Sequence, residues 1–514
     1  MGPVSRRLNW LEGIFISQNV RFAAALQLAP PRPESQVLEA LEETFEAMPC
    51  GRFVVAQDEG KKLVGKGYQV NTVMAPKTSI PYLVERNLEE DIAAERSAHS
   101  PAIQATLVLE GEVLEEASAF DPVYYCIAII INVNHSVMDG SAMKAFFAHF
   151  AERMKENVRD AAVSTPRSSV SNGSGEFTPE RKRSFNGADG MPTPVKFLAR
   201  FGVDGAAVDW GDFLEEHCQD KLNVQGEQPA YLPLTDHSDV PILKMDDILG
   251  ADRSTSGVII RHSPAVHRAT KDAATEFYFL RTRPNISFAT LHAAAVVETL
   301  AARYLKAHSH NAPPAFVITI SLLVDLRDRV PEGVDTKNLL QLFGTVTVSS
   351  TCYTRDFIGE ADYSQRGWAD NLIARAAAIK QEMLERIDRG EAHRASLSLA
   401  RGPSGGYPMA PSATIELSSH GVYRDLPNAS ASVRLTQRFD GFSGLSLALH
   451  AQEIRGSDAP NTVVMSCNVP NSIERQWVED FVRDTMSTVE AVVSTCNGGV
   501  SPASTQSTAT LRQF

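Results

Sequence analysis

Cysteine is scarce in this sequence and scattered. The 514 residues hold six, Cys50, Cys126, Cys218, Cys352, Cys467 and Cys496, with no CxxC pair and no dense cluster. That spacing writes neither a disulfide frame nor a zinc site, and no metal is expected. Positive charge is also short: the formal net charge is −13, which argues against nonspecific nucleic-acid binding. An anionic ligand would need a locally basic pocket. Long apolar runs are missing, so no transmembrane segment is expected. The opening MGPVSRRLNW lacks the apolar core and cleavage site of a secretory signal, and Pro3 and Arg6 spoil a myristoylation pattern. No internal repeat is visible. These absences point to a cytoplasmic protein, expected to be a monomer with no nucleic-acid partner.

What is present is ordinary core material. Hydrophobic residues make up 43% and charged residues 22%, enough to build two domains or one large two-lobed unit. The chain is organised around Cys126 to Phe150, CIAIIINVNHSVMDGSAMKAFFAHF. Cys126 to Val133 reads as a strand buried on both faces. Asn134 to Gly140 is more polar and ends in the turn signal Asp-Gly. From Ser141 onward, Met143, Phe146, Phe147 and Phe150 share one side of a helix. His135 therefore leaves the mouth of a buried strand, and Asp139 follows four residues later. A neutral imidazole there suits general base catalysis. Asp139 could accept a hydrogen bond from the ring or turn away to pair with a cation that fixes the loop; spacing does not choose. The pattern is short, and a chain with 13 His also produces it by chance.

Elsewhere the periodicity predicts helices over 35–48 with Ser35 as cap, 83–96, 285–305 with Ser287 as cap, 368–387 and 474–493. Strands are expected over 52–55, 102–109, 123–133, 257–260, 316–323 running on into VDLRDR, 339–349, 413–416, 442–449 and 462–469. The two strands at 102–109 and 123–133 should pair. Residues 164–186 are rich in Ser, Gly, Pro and charge and read as a flexible crossover, with irregular connectors at 210–216 and 229–243. This divides the chain into an N-terminal lobe at 1–163, a linker at 164–215, a C-terminal lobe at 216–494 and a disordered tail at 495–514.

Several motifs then fall in one order: RRLNWLE near the start, the strand ending in HSVMDG, SFATLHAAAVVETLA, SLLVDLRDRV, LFGTVTV and a strand ending SSHG. Over about residues 6–493 this resembles the superfamily of CoA-dependent acyltransferases with the HxxxDG motif, and within it is most similar to fungal alcohol acetyltransferases. The resemblance implies an α/β, two-lobed chloramphenicol acetyltransferase-like fold, each lobe a mixed sheet with helices, and a tunnel where the lobes meet. It implies His135 as general base, acetyl-CoA or another acyl-CoA as co-substrate, and a structural Asp139, followed by Gly140, paired with an arginine of the DLRxR segment. Arg327 and Arg329 are the candidates; both would lie on one face of a strand, and Arg327 is favoured. Ser419, His420 and Gly344 are candidates for the acyl and acceptor pocket, with Gly140 N–H or Ser419 as oxyanion donors. Two departures stand out. Asn134 replaces the first of the paired histidines of condensation domains, and SSHG replaces the fungal SNxG.

The implied reaction is acyl transfer from CoA to a hydroxyl of a small, fairly apolar molecule, such as a secondary metabolite, since no dominant charged cluster lies near His135 in sequence. An N-acyltransferase, or a free-standing condensation module acting on carrier-bound acyl groups, is the alternative; no carrier or adenylation domain accompanies the motifs. A serine hydrolase is the other enzyme class, through Gly402-Pro-Ser-Gly-Gly406. The nucleophile elbow needs a strand before the serine and a helix after it, and Tyr407-Pro408 blocks the latter, so the segment reads as a loop.

Overall fold

The computed structural model describes residues 4–17, 20–48, 50, 54–57, 68–80, 83, 102–111, 124–161, 197–201, 208–224, 229–234, 239–249, 260–262, 266–269, 271–308, 310–336, 339, 341–358, 365–424, 431–436, 445–453, 461–470 and 473–497. Fifteen strands occur among them: β1 (Val4–Arg7), β2 (Arg21–Pro33), β3 (Val54–Gln57), β4 (Tyr68–Met74), β5 (Ile103–Gly111), β6 (Tyr124–Asn134), β7 (Phe197–Phe201), β8 (Ile260–His262), β9 (Val266–Ala269), β10 (Ala315–Asp325), β11 (Phe343–Tyr353), β12 (Ile415–Arg424), β13 (Ala431–Thr436), β14 (Leu445–Glu453) and β15 (Thr462–Pro470). Helices of eight residues or more are α1 (Trp10–Ser17), α2 (Glu34–Ala47), α3 (Gly140–Ala161), α4 (Trp210–His217), α5 (Lys271–Arg281), α6 (Phe288–His308), α7 (Gln365–Asp388), α8 (Glu391–Arg401) and α9 (Arg475–Cys496).

Two mixed sheets carry the architecture. The first has the order β13-β2-β6-β5-β4. Its β4 and β5 run parallel and its other neighbours antiparallel. Its central strand β6 explains its own sequence. Ile129, Ile131 and Val133 pack with α2 and α3 on one face, while Ile127, Ala128 and Ile130 fill a smaller cluster on the other. Both faces are dry, so the strand does not alternate. The second sheet has the order β11-β10-β12-β14-β15-β8, with β9 also on β15. Here β10, β12 and β14 are parallel. One face buries Ile318, Ile320, Leu417, Leu447, Leu449 and Met465 with residues of α6, α7, α8 and α9. The other face turns toward the first sheet's lobe, because Tyr423 of β12 and Ala448 of β14 pack in that lobe's core. A small sheet, β1-β7-β3, completes the fold.

Local chemistry sets the helix starts. At α1, Asn9 and Glu12 form a reciprocal capping box: Glu12 N–H donates to Asn9 Oδ1 and Asn9 N–H to Glu12 Oε2, both at 3.0 Å. At α6, Thr290 N–H donates to Ser287 Oγ at 3.3 Å and Ser287 N–H to Thr290 Oγ1 at 2.9 Å, so Ser287 caps as its sequence position suggests. At α2 the cap falls elsewhere. The helix begins at Glu34, with Pro33 at the N-cap and no side-chain hydrogen bond, so Ser35 is already inside it.

Other differences are larger. Residues 210–216, read as an irregular connector, are helical. Asp209 accepts from Gly211 N and Asp212 N, and Trp210, Phe213 and Leu214 are buried. Within the expected linker at 164–215, β7 and α4 are formed, and residues 164–196 and 202–207 lie outside the described residues. The strand reading of VDLRDR stops at Asp325, and Arg327–Arg329 form a 3-10 turn. Ser404 is exposed in a 3-10 turn directly after α8, not after a strand, which removes the nucleophile elbow. Most of the helix expected at 83–96, and 498–514 of the tail, fall outside the described residues.

Candidate active site

The His135 loop is tied to α1. Its N–H donates to Val20 O at 2.8 Å. The Asn134 side-chain amide donates to Phe15 O at 3.2 Å, and Ser136 N–H donates back to Asn134 Oδ1 at 3.0 Å. Asn134 is therefore a loop-building residue, which accounts for a side-chain amide at that position. The Phe15 ring stacks on the imidazole with centroids 4.5 Å apart and planes 30° apart. Phe343 of β11 stands on another side at 6.3 Å. Aromatic residues from both halves of the chain thus bracket His135, which is only 8% exposed. Burial among them holds its pKa below the usual 6.5, against smaller upward pulls from its own backbone and the Asp139 charge. At neutral pH the ring is uncharged and able to take a proton.

Asp139 turns away from the imidazole. Its Oδ1 accepts from Ala142 N at 2.8 Å and so caps α3. Its Oδ2 accepts from Leu342 N at 3.1 Å and pairs with Arg327 Nη2 at 2.9 Å. Arg327 also meets Asp325 Oδ1 at 3.2 Å through Nη1. Burial alone would weaken the Arg327 charge, but the two carboxylates outweigh it and push its pKa up. Beside this pair the Gln341 side-chain amide donates to His135 O. Three residues on two segments of the C-terminal half, Arg327 on one and Gln341 with Leu342 on the other, therefore clasp the loop that carries His135.

The SSHG segment brings the second imidazole. The register of β12 on β14 slips between Ser419 and Gly421, a bulge with His420 as the extra residue and Gly421 at φ +75°. The bulge re-aims His420 against Gly140, where a Cβ would stand 2.0 Å from His420 Nδ1. Gly140 is thus required for space. Burial, and after it repulsion by His135, lowers the His420 pKa to about 4. Its Nε2 is buried with no hydrogen-bond partner among the described residues.

His135, Asp139, Gly140, Arg327 and His420 come together, and three other expected residues do not. Arg329 is exposed, with its backbone carbonyl facing His393 Nε2 at 3.3 Å. Gly344 lies against α8, where a Cβ would meet Ala392 O at 2.0 Å, so its role is close packing. Ser419 sits beside Leu449 in the register, on the face of the C-terminal core, and its hydroxyl accepts from Gly421 N at 3.4 Å. Phe15, Gln341 and Phe343 were not legible as site residues. Phe15 lies in α1, and Gln341 and Phe343 in the stretch expected as a strand over 339–349, but nothing in either marks contact with a loop more than a hundred residues away. Among the described residues no group of His, Cys, Asp and Glu could hold a metal ion, and no helix is long and apolar enough to cross a membrane.

Solved structures share this fold. Trichothecene 15-O-acetyltransferase TRI3 from Fusarium sporotrichioides superposes with a TM-score of 0.55 at 12% identity, covering 95% of this chain and 96% of that one. The epimerization domain from the third module of tyrocidine synthetase B gives 0.52 at 11%, covering 97% and 99%. Polyketide synthase associated protein 5 from Mycobacterium tuberculosis gives 0.52 at 10%, covering 96% and 99%. The chain has the two-lobed chloramphenicol acetyltransferase-like fold, the fold of condensation domains. No family model matches the sequence, and no curated protein matches it.

Proposed function

We propose that the protein is an acyl-CoA-dependent O-acyltransferase that moves an acetyl group to a hydroxyl of a small, fairly apolar molecule. The observation that carries this reading is a neutral, buried imidazole whose loop is clasped from both halves of the chain. In the proposed step His135 takes the acceptor's hydroxyl proton as the oxygen attacks the thioester carbonyl of acetyl-CoA. The new C–O bond forms, the C–S bond breaks, and the proton passes from His135 to the CoA thiolate. The chemistry as written uses no metal and no covalent enzyme intermediate. Asp139 and Arg327 are positioning residues, and Gly140 leaves room for His420. His420 Nε2, uncharged near neutrality, is the polar group best suited to donate to the carbonyl oxygen as it gains charge. The lobes proposed are 1–163 and 216–494, with 164–215 between them, except that α4 spans the second boundary into the C-terminal core and β13 crosses over to the N-terminal sheet.

The test is release of free thiol from acetyl-CoA over a panel of alcohols and amines, with wild type beside His135→Ala. Transfer to an alcohol that the variant loses upholds the reading. Release only from carrier-loaded acyl groups would favour the condensation alternative, and equal turnover by the variant would remove His135 from the mechanism.

A further inference from the structure

Along β12 the residues before the bulge alternate. Ile415 and Leu417 enter the C-terminal core, so Glu416 and Ser418 face the other lobe. The register extends this face across the sheet: Glu416 is paired with Ser321 of β10 and Ser446 of β14, and Ser418 with Ala448, which is paired with Ser466 of β15. Ala448 packs in the N-terminal core, which fixes where the face looks. This is a wall of hydroxyls and one carboxyl set between lobes whose cores are apolar. Polar groups so enclosed cost free energy unless they meet partners.

Their partners within the chain are few. Ser446 Oγ donates to Glu416 Oε1 at 3.2 Å, and no cation pairs with Glu416 among the described residues. Ser466 Oγ is buried without a partner among them. Glu416 and Ser321 nonetheless keep some accessible surface, as groups lining a crevice do. Burial raises the Glu416 pKa above its ordinary value, against a smaller downward pull from the Ser446 hydroxyl.

We propose that Glu416, with Ser446 and Ser418 beside it, is a subsite for a second oxygen function of the acceptor, a hydroxyl, ether or carbonyl set far from the hydroxyl that reacts. It rests on the transferase reading and refines it: the acceptor is an apolar body with oxygen at both ends. Four residues of strand, about 13 Å of backbone, separate Glu416 from His420, which lies on Gly140 beside the His135 loop, and this sets the scale for the spacing of the two oxygens.

Acetylation of 1-alkanols is compared with that of α,ω-alkanediols of six to twelve carbons. At the matching length, near ten carbons, the diol should exceed the alkanol about tenfold in kcat/KM, the worth of one buried hydrogen bond. Glu416→Leu should abolish that ratio and Glu416→Gln should retain most of it. Because the readout is a ratio within each variant, a general loss of activity cancels. No diol preference at any length, or one that survives in Glu416→Leu, overturns the proposal. So does a rise in KM that falls on acetyl-CoA instead of the diol, which would give the wall to the donor. If no alcohol is acetylated, the transferase reading fails separately. Saturation-transfer NMR with 1,10-decanediol then decides the subsite: signal lost in Glu416→Leu upholds it, while equal signals or none in wild type sink it.

Discussion

Replacing Arg327 with alanine leaves the Asp139 carboxylate facing only the Ala142 and Leu342 amides, with its side chain 6% exposed. Truncating one partner of a buried ion pair costs about 3–5 kcal/mol. Arg327 is 17% exposed and Asp139 keeps two amide donors, so the low end, about 3 kcal/mol, is expected. The activity loss should be greater than stability alone explains. The pair holds the loop from which His135 projects, and a shift of about 1 Å at a reacting group costs on the order of 100-fold in rate. Asp139→Asn probes the same joint differently: its single carbonyl oxygen cannot serve both Ala142 N on one side and Arg327 with Leu342 N on the other. Urea unfolding of both single variants and the double variant gives the coupling, expected at about 2 kcal/mol, and acetyl-CoA turnover with any accepted alcohol gives kcat. Strictly additive stabilities, with folded single variants keeping wild-type kcat, would refute the idea that this pair positions His135.

Gly140→Ala drives a methyl into His420 and should cost about 1–3 kcal/mol, with recovery of the urea midpoint when combined with His420→Ala. Gly344→Ala meets the Ala392 carbonyl, which is backbone and cannot swing aside, so it should destabilise by at least as much while kcat per folded molecule holds. The general base must be neutral, and burial sets its pKa below 6.5, so the acid-side fall of kcat/KM should be centred below pH 6.5. His420 adds a stability effect of definite sign. Its folded pKa of about 4 lies below the unfolded 6.5, so between those values the unfolded chain binds more protons and stability rises with pH. The urea midpoint should therefore climb between pH 4 and 6.5 more steeply in wild type than in His420→Gln; equal slopes would show that His420 is not held neutral.

The parts of the site that share one short stretch were legible in the sequence. An isoleucine-rich run, a polar turn and an amphipathic helix announced β6, the His135 loop and α3 in order, since each is a local pattern. The direction of Asp139 was not readable from local spacing, because it is set by Arg327 and Leu342 some two hundred residues later; it was the family resemblance that pointed to a pairing with Arg327. Arg327 itself was placed on a strand that in fact ends at Asp325. The bulge at His420 lies beyond the short strand expected at 413–416, because β12 runs on through it to Arg424. α8 escaped for a different reason: it buries Glu391, His393, Arg394 and Ser396 along with its apolar residues, so polarity does not mark its exposed face. Some of its polar groups meet partners distant in sequence, as where Arg394 donates to Lys221 O and Ala230 O.

β13, residues Ala431–Thr436, supplies the outer strand of the N-terminal sheet, lying antiparallel on Ala23, Ala24 and Ala25 of β2. During synthesis the ribosome must deliver every residue from β2 to β13, some four hundred of them, before that position can be filled. Until then β2 offers an open row of backbone donors and acceptors to any strand that meets it. A nascent chain stalled before residue 431 should thus be a sticky one, and expression of the first lobe by itself should yield aggregates unless a peptide spanning 431–436 is supplied alongside.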